Sequence, residues 1–251
     1  MLSGFADISL FNMLLVAAVT LVASIIGGVA GYGTGALTPL VLVPLIGPEP
    51  VVPIIAISAL FNNTWRALAF RQLIDWRRAM LVGVLDTPTC ILSAYGYTLL
   101  TGKGAAIVIG GMLMLTVPLR YLFRRYVMAL DSKGLAVGAV IYGGAVGGTV
   151  GAGVILLSIL MAAGLQGAAV IATDAVISMI VTTVRMAVFG FSGVIDARVL
   201  AFALLIGAVA LPAAFMAKAL VARMSLKFHT AVLDVVVLIG GAVMIYGGLV
   251  R

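Results

Sequence analysis

Charge is what this chain has least of. Among its 251 residues only 9% are Asp, Glu, Lys or Arg, and 64% are hydrophobic. Ordinary soluble domains carry roughly 25% charged and 45–50% apolar residues. A surface built from this composition cannot be covered by water, which excludes a soluble globular domain. The single cysteine, Cys90, excludes an internal disulfide framework and any multi-cysteine metal site, and reads as an inert small side chain inside a helix. The lone histidine, His229, lies in a basic loop beside Lys227, so no metal site and no Ser/His pairing within a shared span is encoded. A phosphate-binding glycine loop is missing as well, so the expected energy source is an ion gradient or the substrate's own gradient. No cofactor and no enzymatic activity are expected.

Acidic residues are also scarce, eight against fifteen basic, giving a net charge of +7. The Lys and Arg residues fall in short clusters between apolar runs rather than on one basic face. That argues against nucleic acid as a partner and for the positive-inside rule of membrane proteins. The first residues include Asp7 and no Lys or Arg before the apolar stretch, unlike the basic start of a cleaved signal, so the first segment is predicted to stay as a span.

Long apolar runs are what the sequence does have, such as Leu10 to Val29, Val51 to Leu60, Ala105 to Leu119 and Val232 to Val250. Several approach the ~20 residues a helix needs to cross the hydrocarbon core. No alternating barrel pattern appears, and open strands would leave backbone groups unpaired in lipid. The expected fold is therefore an all-α integral membrane protein.

An internal repeat organises it. Gly27-Gly28-Val29-Ala30-Gly31-Tyr32-Gly33 matches Gly147-Gly148-Thr149-Val150-Gly151-Ala152-Gly153. Asn63-Thr64-Trp65-Arg66 then pairs with Thr182-Thr183-Val184-Arg185, with Phe70 and Phe189 four residues after each Arg. Ile74-Asp75-Trp76-Arg77 meets Ile195-Asp196-Ala197-Arg198, and Gly83 to Pro88 meets Gly207 to Pro212. Matched segments in the same order imply two related halves, 1–128 and 129–251, within one transmembrane domain. Each half is predicted to hold five elements, at 10–30, 34–47, 50–70, 78–101 and 104–123, then 134–150, 152–164, 166–190, 198–219 and 230–250. An odd number of elements inverts the second half relative to the first.

Charge supplies a second check on that topology. If the loop with Arg71, Arg77 and Arg78 is cytoplasmic, alternation puts Arg120, Arg124, Arg125, Lys133, Lys218, Arg223 and Lys227 on the same side. Only Lys103, Arg198 and Arg251 then face outward, the bias the rule requires, and both termini face the periplasm. The segments 34–47 and 152–164 are too short to span, and half-helices or re-entrant hairpins are both open.

Short apolar segments opened by glycine, at matching places in inverted halves, point to a transporter's central site. A helix starting inside the membrane presents free N–H groups and the positive end of its dipole, which attract an anion. Gly31, Gly33 and Gly35 would let the first backbone approach a substrate, Thr34 would add a donor, and Gly151 and Gly153 would act from the opposite side. The flanking Gly27, Gly28, Gly143 and Gly144 read equally well as helix-packing glycines. Arg66 and Arg185 stand beside polar pairs in apolar spans, where an Arg costs about 2.5–3.5 kcal/mol on insertion scales. With Asn62, Asn63 and Thr64 on one side and Ser178, Thr182 and Thr183 on the other, they could hold a tetrahedral oxyanion. Snorkelling to the interface is the competing reading for both. Asp86, Asp174 and Asp234 also lie within spans, and Asp86 and Asp174 are candidates for proton coupling. Asp174 is too far along the helix from Arg185 to pair with it. Asp75 and Asp196 sit at loop edges and are expected to cap the following helices.

Through Gly31-Tyr32-Gly33-Thr34-Gly35, the following Pro39 and Pro44, and the second glycine-rich segment, the chain resembles the TauE/SafE family of sulfite and organosulfonate exporters over about residues 20–250. The second segment, Gly151-Ala152-Gly153-Val154-Ile155-Leu156-Leu157, departs from the family pattern in having no proline. The resemblance implies a permease that moves small sulfur-containing oxyanions or related organic anions, usually outward, across the bacterial inner membrane. Its partners would be a small anion and the lipid bilayer, with a homodimer left open. A carrier of a neutral or cationic metabolite, with the Arg residues tied up by Asp86 or Asp174, and a membrane interaction subunit without transport activity remain as alternatives.

Overall fold

A computed structural model describes residues 8–30, 33–125, 130–150, 153–221 and 226–250. Among the described residues the chain is all helical, with α1 (Leu10–Ala30), α2 (Gly33–Ile46), α3 (Val51–Ala69), α4 (Trp76–Thr98) and α5 (Gly102–Arg125) followed by α6 (Ser132–Gly147), α7 (Gly153–Ala162), α8 (Ala168–Phe191), α9 (Ala197–Val221) and α10 (Leu226–Val250). These boundaries lie close to those expected from hydropathy, because glycines, prolines and charges punctuate the apolar runs. Four helices, α3, α4, α5 and α8, are long and apolar enough to cross a membrane within their described residues. Apolar stretches in α1, α2, α9 and α10 accompany them, and the chain is a multi-pass membrane protein.

Local chemistry explains where helices start and stop. Asp75 caps α4 by accepting from the Arg78 N–H at 2.9 Å, and Asp196 accepts from the Val199 N–H at 2.7 Å at the head of α9. Both loop aspartates thus satisfy orphan N–H groups of a first turn. The two short helices stop at glycines in the left-handed region. Gly47 (φ 83°) follows α2 and donates its N–H to the Val43 carbonyl. Gly164 (φ 91°) follows α7, where the Leu165 N–H reaches back to the Leu160 carbonyl. A side chain with a Cβ would be strained in either place.

Helices from the two ends of the chain interleave. α1 packs on α9 and α4 on α6, α3 packs on both α8 and α9, α4 on α8, and α5 on α10. One apolar core joins α1, α2, α5, α9 and α10 with the start of α3. The other joins α4, α6, α7 and the first part of α8. Lipid offers apolar contacts as good as these, so close backbone approach and interhelical hydrogen bonds must add to them. At the α4/α6 crossing a Cβ on Gly143 would overlap the Asp86 carbonyl and the Thr89 hydroxyl, and one on Gly147 would overlap Cys90 and Ser93. In the space so gained, Thr89 donates to the Val140 carbonyl at 2.9 Å and Ser93 to the Gly143 carbonyl at 3.2 Å.

α2 and α7 are hairpin partners of the helices before them. The Ser24 and Thr34 hydroxyls sit 3.3 Å apart across α1 and α2. The Leu130 N–H, just before α6, donates to the Ala162 carbonyl that ends α7, so α7 returns to the side from which α6 starts. With 14 and 10 residues, α2 and α7 reach about 21 and 15 Å against a core of about 30 Å. Neither is long enough by itself to cross that core.

Candidate anion site

Two buried arginines define two polar levels, one toward each end of α3 and α8. At the first, Arg66 of α3 donates to the Asp174 carboxylate of α8 at 2.8 Å and to the Asn63 side-chain oxygen at 3.0 Å. Both members of this ion pair are buried, at 8% and 2% exposure. Removing two charges from water is costly, and only mutual attraction with further hydrogen bonds offsets it. Asp174 reaches Arg66 because α3 and α8 pack together, a contact between sequence-distant residues that helix spacing could not reveal.

At the second level, Arg185 of α8 is 4% exposed and donates to the Thr149 carbonyl at 3.1 Å. Its Nε has no hydrogen-bond partner, and no carboxylate of the described residues pairs with it. The guanidinium carbon lies 6.0 Å from the centroid of the Phe189 ring, where the face of the ring attracts a cation. Thr149 stands between the end of α6 and the start of α7 at Gly153. Arg185 is thereby held at the C-terminal end of α6, four residues before α7 begins.

The residues expected to form one site divide between these levels. Asp174 and Arg185 are eleven residues apart on α8, about 16 Å along its axis, so the Arg66 and Arg185 groups do not converge on one small anion. Asn63 belongs to the Arg66 level, and Thr182, buried, lies within one turn of Arg185. Thr64 and Thr183 return their hydroxyls to their own helices, donating to the Leu60 and Met179 carbonyls at 2.7 and 2.8 Å. Both instead line a largely apolar groove of 580 Å³ with Arg71 and Trp76 at one edge. Asn62 is half-buried one residue before Asn63. Gly33 opens α2, with Thr34 and Gly35 half-buried behind it, and Gly153 opens α7. Gly31 and Gly151 lie outside the described residues.

Between the levels sits a residue the sequence reading did not single out. Tyr142 of α6 is 2% exposed, its hydroxyl is hydrogen-bonded to Ser178, and it lies within electrostatic reach of Asp86, Asp174 and Arg185. The available signal was an aromatic with a polar tip inside an apolar, glycine-flanked span, where a hydroxyl needs a partner. Asp86 of α4 is fully buried and neither carboxyl oxygen has a hydrogen-bond partner. Asp234 of α10 stands apart from this line and accepts from the Tyr121 hydroxyl at 3.2 Å.

A vestibule of 360 Å³ opens among the loops near Arg185, lined by Glu49, Pro53, Tyr97, Asp196 and Arg198 among others. Tyr97 is one of the walls of this space. Its ring meets Phe189 edge to face at 6.2 Å, and its hydroxyl reaches the Pro48 and Glu49 carbonyls at 2.8 and 3.1 Å. Phe189 thus meets both Tyr97 and the Arg185 guanidinium.

No group of three or more His, Cys, Asp or Glu side chains that could hold a metal occurs among the described residues. A family model described as sulfite exporter TauE/SafE matches residues 16–244. No curated protein and no solved structure matches the chain. With nearly its whole length matched, the chain belongs to the TauE/SafE sulfite exporter family, a family of transporters rather than enzymes.

Proposed function

Starting from that membership, we propose that this chain is a secondary carrier of small sulfur-containing oxyanions, organosulfonates or related organic anions, moving them outward across the bacterial inner membrane. The substrate is held at Arg185, beside Thr149 and the start of α7. The observation that carries this reading is a buried guanidinium with an unpaired Nε and, among the described residues, no carboxylate in ion-pair contact. A cation so placed calls for an anion, and a planar guanidinium suits an oxyanion's paired oxygens. Thr182, one turn before Arg185 on α8, and Gly153, which opens α7, are the further candidates for this site.

Residues 1–128 and 129–251 act here as two inverted repeats in one transmembrane domain. The helix pairings support this: exchanging α1 to α5 for α6 to α10 converts α1 on α9 into α6 on α4, and α3 on α9 into α8 on α4, while α5 on α10 and α3 on α8 map onto themselves. Alternating access would follow from one bundle moving against the other around the site. The Arg66 level, with Asn63 beside it on α3, is then the counterpart on the cytoplasmic side, occupied by Asp174 in this conformation. That occupation favours the neutral-substrate alternative for Arg66 only, since Arg185 has no equivalent acid.

Thermal stability of the detergent-purified protein against sulfite, sulfate, thiosulfate, sulfoacetate, taurine and simple carboxylates tests the reading. A ligand at a hundredfold excess over Kd should stabilise the folded protein by about 2.7 kcal/mol. The expected result is a shift confined to one oxyanion class and lost in Arg185→Gln. A shift undiminished in that variant, or none with any anion, would sink the assignment.

A further inference from the structure

Arg185 has a second unpartnered charge-bearing group two helical turns away. Asp86 is fully buried within α4, and neither of its carboxyl oxygens is hydrogen-bonded. Polar residues placed like this in a membrane mark pathways for ions or protons. Cys90 lies one turn along its own helix, and Tyr142 of α6, hydrogen-bonded to Ser178 of α8, is within electrostatic reach of Asp86, Asp174 and Arg185. Of the acids in this cluster, Asp174 is held by Arg66 at 2.8 Å, which leaves Asp86 as the carboxyl without a cation. The second half of the sequence carries Ala210 at the matched position, so the acid belongs to only one half.

Geometry ties Asp86 to the anion. The Cys90 thiol lies 4.0 Å from the Val181 carbonyl. Asp86 is four residues before Cys90 on α4, and Arg185 is four residues after Val181 on α8. The two helices run in the same direction, since the Asp75 N–H at the head of α4 also meets Thr173 near the head of α8. Asp86 and Arg185 are therefore separated by about 12 Å along the bundle. Two unit charges at that distance, with an effective dielectric near 20, alter an equilibrium about tenfold.

We propose that Asp86 is the carrier's proton site, linked to the anion held at Arg185. With the anion absent, ionised Asp86 balances Arg185. When a singly charged anion binds, the Asp86 carboxylate takes a proton from water, an O–H bond forms, and the buried net charge is unchanged. The proton returns to water as the anion leaves. Substrate and proton thereby favour each other's binding, and by reciprocity the anion raises the proton affinity of Asp86 by the same factor.

This inference rests on the anion reading, and the test keeps the two apart. Methanesulfonate is the probe, because its single charge does not change over the pH range in which the protein stays folded, with sulfate as a second anion. Wild-type Kd for methanesulfonate should be about tenfold weaker at the alkaline end than at the acid end. Adding the anion to weakly buffered protein near the midpoint should draw protons from solution. Asp86→Asn should still bind, with one Kd throughout and no proton uptake. Asp86→Ala, which copies the residue of the second half, serves if the amide variant does not fold. A tenfold pH dependence that survives in either variant, or wild-type binding without any, overturns the proton site and leaves the anion site standing. Failure of wild type to bind either anion at every pH overturns both.

Discussion

Arg66 and Arg185 occupy matched positions in the sequence repeat, yet only Arg66 has a carboxylate against it. Their substitutions should therefore differ in kind. Arg66→Gln strands a buried Asp174 charge, and breaking a pair of this type costs about 3–5 kcal/mol. Adding Asp174→Asn should recover most of that loss, as thermal unfolding of the three proteins in detergent would reveal. Equal losses in the single and double variants would mean that the pair is not what holds α3 to α8. Arg185→Gln breaks no direct ion pair among the described residues, so it should cost less stability than Arg66→Gln while losing the anion. At the membrane edge, the Arg78 backbone N–H, aided by its guanidinium, holds the Asp75 carboxyl below its ordinary pKa. A depressed value means that this cap stabilises α4 fully above the unfolded carboxylate pKa of about 3.9 and less as pH falls through the lower folded value. Asp75→Ala should cost about 1 kcal/mol near neutral pH, and the gap between the two proteins should close in acid. A gap that stays constant down to strongly acid pH would contradict the cap.

At the scale of elements, the α4/α6 crossing depends on the absence of side chains on one face of α6. Gly143 meets the Asp86 backbone directly, whereas a Cβ on Gly144 would reach only ordinary contact with Thr89 at 3.9 Å. Gly143→Ala should lower stability by about 1–3 kcal/mol, as overpacked cores do, and Gly144→Ala should leave the melting temperature unchanged. Similar effects from both would show that the glycines act through helix propensity instead. The sequence could not separate them, because adjacent glycines look alike until a neighbouring helix selects one face. Helix ends, by contrast, were legible. Asp75 and Asp196 precede the helices they cap, and the glycine-opened α2 and α7 start at Gly33 and Gly153, within a residue of the expected places. Those signals are local, and local chemistry is what a single sequence carries.

At the scale of the molecule, the ten helices of the described residues and their approximate boundaries followed from hydropathy, but their partners did not. That Asp174 would meet Arg66, and that Tyr142 would stand near Asp86, depends on contacts across α3, α4, α6 and α8 with no trace in sequence spacing. Distance also divided the arginines, since Arg66 pairs with Asp174, eleven residues from Arg185 on α8. The proposed inverted arrangement implies a topology that can be checked. In a Cys90→Ala background, Gln72→Cys, in the loop before α4, should be shielded from an impermeant thiol reagent in intact cells, and Ser192→Cys, after α8, should react. Labelling of both from outside would contradict the inverted arrangement. The most direct test of the central claim is exchange of labelled sulfite across proteoliposomes containing wild type or Arg185→Gln. The account expects wild type to exceed protein-free vesicles and the variant to fall to their background. Wild-type exchange no faster than empty vesicles, or a folded Arg185→Gln protein as fast as wild type, would contradict it.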